Sequence, residues 1–380
     1  MKFLHVSDLH IGKRIHEFSL LEDQRLILQQ ILELADHHEV QGLLISGDIY
    51  DKLQPSGEAV ELFDTFLTEI RRRNLLCCAV SGNHDAAERI AYGSRIMADS
   101  NIHLSPLYDG KLKTVSAEDE YGELQIHLMP FLKPMQVRPF HPEVEPHDYQ
   151  AAIAKVLEQH PLKENTRHIL LAHQFVAGGS TTPERSESET QMLGGVDQID
   201  VGLFSTFDYV ALGHLHKPQK ISRDTIRYSG SPLAYSFSEA NQPKTVPLLH
   251  FKSKGDLEIE LLPLKPKHAM RSIQGSLAEL LSPEFIAGQQ TDDYLQVTLT
   301  DLAVIDAMAK LRGTYPNVMR LEFLQDTQMR DQQGALEPVL FESPYELFRS
   351  FYMQQQQRSL SEASDSILRR FLQAQEEVEI

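Results

Sequence analysis

Five short polar clusters, each following a short apolar run, constrain this chain more than any other feature. They are Asp8-Leu9-His10, Gly47-Asp48, Gly82-Asn83-His84-Asp85, His173 after Leu170-Leu171-Ala172, and Gly213-His214-Leu215-His216. The runs before them, at residues 2–7, 42–46, 75–81, 168–172 and 208–212, are compact and apolar enough to read as strands. In an open α/β sheet, groups at the carboxyl ends of strands converge on one face and form the site. Asp and His one residue apart beyond a strand end can turn towards the same point. Gly47, Gly82 and Gly213 stand where a tight turn or a close backbone approach is needed.

Between these runs the periodicity turns helical. Residues 23–37 carry Leu26, Ile27, Ile31 and Leu34 at helical spacing. Ser56 is positioned to cap a helix running to about Arg73, with Val60, Phe63, Phe66, Leu67 and Ile70 on its buried face. Further strand-like runs fall at 123–129 and 226–228. Strand and helix alternating at this spacing predict an α/β layered fold. Residues 177–198, rich in Gly, Ser, Thr and Glu, form a long loop of the kind that often carries function.

Pro263-Leu264-Lys265-Pro266-Lys267 marks a boundary, and a small pattern of strands (273–275, 294–299, 318–323) and helices (277–281, 305–311) follows it. A Gln-rich stretch then leads to Ser343-Pro344-Tyr345-Glu346, a capping box with Pro at the first helical position. The helix it opens carries Leu347, Phe348, Phe351 and Tyr352; another, from about Ser361, carries Ile367, Leu368, Phe371 and Leu372. Their apolar faces need a surface, either the chain's own core or a partner. The expected division is 1–265, 268–330 and 340–380.

The ligand types have a chemical logic. Imidazole suits Zn, Mn, Fe or Co, carboxylate and amide oxygens suit harder cations, and a mixture suits a borderline ion such as Mn²⁺. No thiolate takes part, which argues against a structural zinc site. Cys77 and Cys78 are adjacent in an apolar run and read as small buried hydrophobes, which suits a reducing compartment. With no apolar run of eighteen residues and a polar N-terminus, a cytoplasmic protein is expected. Seventeen histidines are present, and any one alone is more readily structural; five clusters in this order are not explained by core packing. The net charge of −18 opposes a polyanionic substrate. Either the substrate is not nucleic acid, or metals and a second protein supply positive charge. Two dications held by two carboxylates leave a core of about +2, and such a pair can clamp a phosphate and activate water for in-line displacement.

The motif order resembles the calcineurin-like metallophosphoesterase superfamily over roughly residues 1–230. Phe3-Leu4-His5-Val6-Ser7-Asp8-Leu9-His10-Ile11-Gly12, Ser46-Gly47-Asp48-Ile49-Tyr50-Asp51 and Tyr228-Ser229-Gly230-Ser231-Pro232 are similar to its branch of SbcD-type nuclease subunits. The resemblance implies a four-layer αββα sandwich with a small α+β capping domain and C-terminal helices. It also implies two divalent ions, with Mn²⁺ expected. Asp8, His10, Asp48 and His216 would hold one, and Asp48 would bridge to another completed by Asn83, His173 and His214. His84 would be an acid near the leaving oxygen, oriented by Asp85. Where some relatives place a His after the second motif's Asp, this chain has Asp51, so no role is imported there.

The same resemblance implies an SbcC-like ATPase partner with long coiled coils, in a heterotetramer with two copies of each chain. It further implies a homodimer of this chain and double-stranded DNA ends and hairpins as substrate. No Gly-x-x-x-x-Gly-Lys-Ser/Thr stretch occurs, so ATP hydrolysis belongs to the partner. Residues 268–330 would position DNA over the metals or merely stabilise the core, and 340–380 would dock on the coiled-coil base. Two other readings remain open: a generic phosphoesterase acting on nucleotides or phosphoproteins, and a scaffold using metals only for folding. The intact Asn83-His84-Asp85 argues against the last.

Overall fold

Every strand-forming run that precedes a polar cluster lies in one of two six-stranded sheets. The computed structural model describes residues 1–178, 183–189 and 197–324, and beyond them only Tyr345, Arg349, Tyr352, Met353, Leu360, Ser361, Ser364, Asp365 and Leu368. In the first sheet, Lys2–Val6, Gly42–Ser46, Leu76–Val80 and Ile102–Ser105 run parallel. Thr245–Phe251 and Leu257–Pro263 extend it antiparallel on the far side of Lys2–Val6. In the second, Gly122–Met129, Arg167–His173, Tyr209–Gly213 and Arg223–Tyr228 are parallel, edged by Lys113–Asp119 and Gln219–Ile221.

Alternation along each strand divides the core into layers. Phe3, Leu44, Cys78 and Val80 of the first sheet meet Leu124, Ile126, Ile169, Leu171 and Ala211 of the second. Leu43, Ile45, Cys77 and Ala79 turn the other way, onto the helices Leu21–His37 and Gly57–Arg72. Met129, Leu170, Val210 and Leu212 pack on the Tyr149–Glu158 helix. The result is the expected four-layer αββα sandwich. Adjacent Cys77 and Cys78 therefore enter two different layers, and burial pushes the Cys77 thiol up to about 12. Each Leu, Ile or Phe fully buried here contributes about 1.5–3 kcal/mol.

Ser56 caps the second helix through Ala59 N–H at 3.3 Å. One expected core position is corrected: Val60 is 45% exposed, and Ala59 takes the inward place on the face shared with Phe63, Phe66, Leu67 and Ile70. With Ser56 as cap, the 3.6-residue period through Phe63 and Phe66 puts position 59 inward and 60 outward.

A polar pin aligns the two sheets beneath the site. The Ser46 hydroxyl donates to the Ala211 carbonyl at 2.9 Å and so accepts from His5 Nε2 at 3.1 Å. His5 Nδ1 then accepts from the Tyr209 hydroxyl at 3.0 Å. Burial first, then the Arg227 charge, pushes this imidazole down to about 3, so it stays neutral. The pin fixes the ends of strands from both sheets against each other.

After residue 265 come a three-stranded sheet, Met270–Gly275, Tyr294–Leu299 and Val318–Phe323, and short helices at Leu277–Leu280, Pro283–Ala287 and Ala307–Arg312. Met270, Tyr294 and Met319 join the core beside the Leu21–His37 helix. Asp23 of that helix, buried, accepts from the Tyr294 hydroxyl at 2.8 Å and His268 N–H at 3.2 Å. Residues 323–380 form a second compact unit. In it Tyr345, Arg349, Tyr352, Met353, Ser364, Asp365 and Leu368 are helical, and the Tyr345 hydroxyl donates to Asp365 at 2.5 Å. Leu347, Phe348, Phe351, Ile367, Phe371 and Leu372, expected on the tail helices, lie outside the described residues.

Candidate metal centre

The five clusters meet at the carboxyl edge of the sheets. The backbone does part of this by unusual turns: Asp8, His10, Asp48 and His214 all have positive φ, at 52°, 43°, 49° and 109°. Non-glycine residues held in this region cost of order 1–3 kcal/mol each and cluster at functional sites. Hydrogen bonds hold them there. Asp8 N–H donates to Gly47 O at 3.1 Å, His10 N–H to Asp48 O at 2.9 Å, and Ile11 N–H to Ile49 O at 2.9 Å, zipping the first two loops together. Gln24, from the first helix, donates to the His10 carbonyl at 2.7 Å and accepts Gly12 N–H at 2.9 Å. Any side chain at Gly82 would run into the Asp48 carboxylate, and one at Gly213 into the Ser46 carbonyl.

Ligand-type atoms converge in three overlapping groups: Asp8, His10 and His216; Asp8, Asp48 and His173; and His10, Asp48 and His84. Asp48 Oδ2 is 3.6 Å from His10 Nε2 and 3.3 Å from His173 Nε2. Asn83 Oδ1 faces His173 Nε2 at 3.1 Å and His214 Nδ1 at 3.0 Å. All seven expected ligand residues are thus brought together, and all of them but Asn83 are buried.

Tautomers show what the cluster wants. The Ser46 carbonyl can only accept, so His173 Nδ1 donates to it at 2.7 Å and Nε2 carries a lone pair. That lone pair faces the Asn83 Oδ1 acceptor. The Ser188 hydroxyl donates to Glu239 Oε1 at 2.5 Å and so accepts from His216 Nδ1 at 2.8 Å, which leaves His216 Nε2 bare. His216 Nε2 faces His10 Nε2 at 3.1 Å. The His173 lone pair facing an acceptor, and the His216 lone pair grouped with Asp8 and His10, suit cations. The residues fit divalent metals. Burial lowers His173, but the Asp48 carboxylate outweighs it and holds the imidazole up to about 9, so a proton or a metal ion competes for the Nε2 lone pair. Burial likewise raises Asp8, while His173, His10 and His84 overcome burial to hold Asp48 well below the usual carboxylate range.

His84 donates its backbone N–H to Asp48 Oδ1 at 2.8 Å, and its ring Nδ1 donates to the Asp51 carbonyl at 3.1 Å. The expected Asp85–His84 contact is replaced. Asp85 instead accepts three backbone N–H groups, from Gly82 (2.8 Å), Ile49 (3.1 Å) and Tyr50 (2.9 Å), so it braces the loop rather than the ring. Burial, then the Asp48 charge, raises Asp85 to about 6. Asp51 ion-pairs with Lys13 at 2.8 Å and lies 3.8 Å from His10 Nδ1, which has no hydrogen-bond partner among the described residues. A cleft of 790 Å³ opens over the cluster, lined by Lys52, Asn83, His84, Phe131, Lys133, Asp197 and His214.

Sequence reasoning missed Ser7, Ser188, Glu189, Glu239 and Lys244. Ser7 Oγ donates to Asp8 Oδ2 at 2.5 Å, and Glu189 Oε1 accepts His216 N–H at 2.7 Å. Ser188 and Glu189 lie in the loop singled out for its composition, whose ends are tied by the parallel pair Val176–Ala177 and Ile199–Asp200. Nothing in the residue pattern marked Glu239 or Lys244.

An αββα sandwich with overlapping Asp/His groups at its strand ends defines a metal-dependent phosphoesterase. Residues 1–218 match the family described as calcineurin-like phosphoesterase, and residues 266–356 match SbcD_C, described as type 5 capsule protein repressor C-terminal domain. The chain is 33% identical over 326 residues to the D subunit of the SbcCD nuclease of Staphylococcus epidermidis, covering 84% of this chain and 85% of that one. It is 32% identical to the protein of the same name from Staphylococcus saprophyticus subsp. saprophyticus, covering 84% of each. A crystal structure of the Thermus thermophilus protein TT1561 aligns over 68% of this chain and 98% of that one, with a TM-score of 0.41 and 13% identity. The chain belongs to the calcineurin-like phosphoesterase family and, within it, to the D subunits of SbcCD nucleases.

Proposed function

We propose that this chain is a metal-dependent DNA exonuclease and endonuclease subunit that cleaves phosphodiester bonds together with an SbcC-like ATPase. The observation that carries the reading is the His173 lone pair facing the Asn83 Oδ1 acceptor, beside Asp48, at the floor of the Lys52- and Lys133-lined cleft. Asp8, His10, Asp48 and His216 would hold one divalent ion, and Asp48, Asn83, His173 and His214 the other, with Mn²⁺ as the preferred metal. When bound, the pair supplies Lewis-acid polarisation of the phosphoryl group and an activated water.

The residues of the chain do the rest. Lys52 and Lys133 attract the DNA backbone at the cleft rim. His84, with Nδ1 engaged by the Asp51 carbonyl, offers Nε2 to the leaving oxygen and, protonated, hands it a proton. Geometry also brings His84 within reach of His10 and Asp48 as a ligand. Metal content of a His84 variant separates the two roles.

A chain of net charge −18 needs positive surface from elsewhere, which the ATPase would provide. In this reading residues 268–330 position DNA and 340–380 dock on the partner's coiled-coil base, in a heterotetramer with two copies of each chain. A homodimer of this chain would cover Tyr92 and Ile96, exposed by 87% and 77%. Among the described residues no helix is long and apolar enough to cross a membrane. The free, buried Cys77 and Cys78 suit a reducing cytoplasm.

Cleavage of end-labelled duplex and hairpin DNA in Mn²⁺ tests the reading, with wild type and His84→Ala each alone and with the ATPase. Partner-stimulated cutting that falls about 10²–10⁴-fold in His84→Ala, with metal content unchanged, is expected. Hydrolysis of small phosphodiesters without any DNA cutting would move the substrate to nucleotides or phosphoproteins. Loss of a metal in His84→Ala would make His84 a ligand.

A further inference from the structure

The Tyr228-Ser229-Gly230-Ser231-Pro232 turn carries no ligand, yet two hydrogen-bond chains run from it to the metal-facing residues. One is short. The Ser229 hydroxyl meets Ser7 Oγ at 2.7 Å, and Ser7 donates to Asp8 Oδ2 at 2.5 Å. The other passes through a buried ion pair. Ser231 Oγ lies 3.2 Å from Glu239 Oε2, and Lys244 Nζ donates to that same oxygen at 2.6 Å, to Ser231 Oγ at 2.9 Å and to the His216 carbonyl at 3.0 Å. Glu239 Oε1 accepts from Ser188 Oγ at 2.5 Å and from Ser236 Oγ at 3.1 Å, and lies 3.4 Å from His216 Nδ1. Glu239 has no solvent exposure and Lys244 only 7%.

A buried ion pair of this kind is poor evidence of a stabilising role, because desolvation offsets the attraction, and well-packed apolar residues often serve as well. Its position is the informative part. The carboxylate stands behind His216 on the side away from Asp8 and His10, and takes up the one ring N–H the imidazole has to give. An outer carboxylate fixes the tautomer and orientation of a metal-binding histidine and raises its basicity.

We propose that Glu239 is the positioning residue for His216: directly and through Ser188 it captures Nδ1–H, so that Nε2 is presented to the metal. Lys244 and Ser231 hold the carboxylate in register, and the Tyr228–Pro232 turn is the part of the chain that sets both Ser231 behind His216 and Ser229 behind Asp8. Glu239 touches neither substrate nor metal. The inference rests on the assignment of His216 as a ligand in the preceding reading.

The test uses the full chain stripped of metal and titrated with Co²⁺ against a chromophoric chelator, without DNA or partner. Wild type should show two binding events. Glu239→Gln should weaken one of them about 10–100-fold and change its Co²⁺ absorption bands, leaving the other in place. Because Glu239→Gln strands Lys244 in the interior, Glu239→Gln/Lys244→Met is measured beside it as the folded control. The double variant should show the same one-sided loss. Both events retained at wild-type affinity in the double variant would overturn the proposal, as would equal weakening of both, which is what a merely structural role produces. His216→Ala separates this failure from failure of the metal assignment. If His216→Ala keeps both ions, the ligand assignment falls and the positioning role with it; if it loses one and the Glu239 variants do not, the positioning role alone falls.

Discussion

Two histidine clusters in this molecule use the same side chain to opposite ends. At the mouth of the sandwich, His173 and His216 direct bare Nε2 atoms at Asn83 and His10, beside two carboxylates. In the outer layer of the second sheet, His127, His160 and His168 form a closed chain. The Lys163 carbonyl can only accept, so His168 Nε2 donates to it at 2.9 Å and His168 Nδ1 accepts from His127 Nε2 at 3.0 Å. His127 Nδ1 is then the acceptor for His160 Nε2 at 2.7 Å. Every donor in the chain meets an acceptor, and no cation is called for. Clustering of imidazoles is therefore not what marks a metal site; acceptors left facing acceptors are.

Removing the charge on which the first cluster turns should have the largest effect. Asp48→Asn keeps the shape but weakens the contacts to His10, His173 and the His84 backbone. DNA cleavage should fall by about 10³-fold or more, several kcal/mol of barrier, and elemental analysis should find fewer than two ions per chain. Two retained ions with lost cleavage would remove Asp48 as the bridge. The same readouts applied to His127→Gln should show both metals and full cleavage.

Much of this contrast was legible in the residues, for a physical reason. A polar cluster at the end of an apolar strand is a local pattern, and its position in an α/β fold follows from the chirality and layering of such folds. The strands, the two long helices and the small three-stranded sheet followed in the same way. What was not legible depends on contacts remote in sequence. Glu239 and Lys244 are ordinary charged residues until the fold sets them behind His216. The strands Thr245–Phe251 and Leu257–Pro263 were not predicted, although Leu257-Glu258-Ile259-Glu260 alternates. They matter because Thr245–Phe251 pairs, across some two hundred and fifty residues, with the strand leading to Asp8, and Leu257–Pro263 pairs with Thr245–Phe251 in turn. The family resemblance implied that Asp85 orients His84; three backbone N–H groups take its carboxylate instead.

Acid should separate the clusters next. Burial first, then His160 and His168, pushes His127 down to about 3 from 6.5. Between those values the unfolded chain takes up a proton that the folded chain refuses. The stability tied to this group is whole above pH 6.5 and falls as the pH drops towards 3, with about 2 kcal/mol gone by pH 5. Urea titrations of the metal-free chain at pH 7.5 and 5.0 should show wild type losing that much more than His127→Gln. Equal losses would mean that the closed chain accepts a proton without opening.

The smallest effect is expected from a third group of imidazoles, the pair His37 and His38, whose rings lie 4.9 Å apart at the end of the Leu21–His37 helix. Their proximity matches that of the other clusters, since His10 and His216 are 5.0 Å apart and His127 and His160 4.8 Å. Among the described residues neither belongs to a group of ligand atoms able to hold a metal ion, and His37 is exposed to solvent. The contact that Lys2 Nζ makes here is with the His38 carbonyl, which any residue supplies. Replacing both with Gln should therefore change stability by no more than about 0.5 kcal/mol, with metal content and cleavage as in wild type. A lost ion in that variant would break the distinction, because it would show that ring proximity alone, without convergent lone pairs, is enough to recruit metal to this chain.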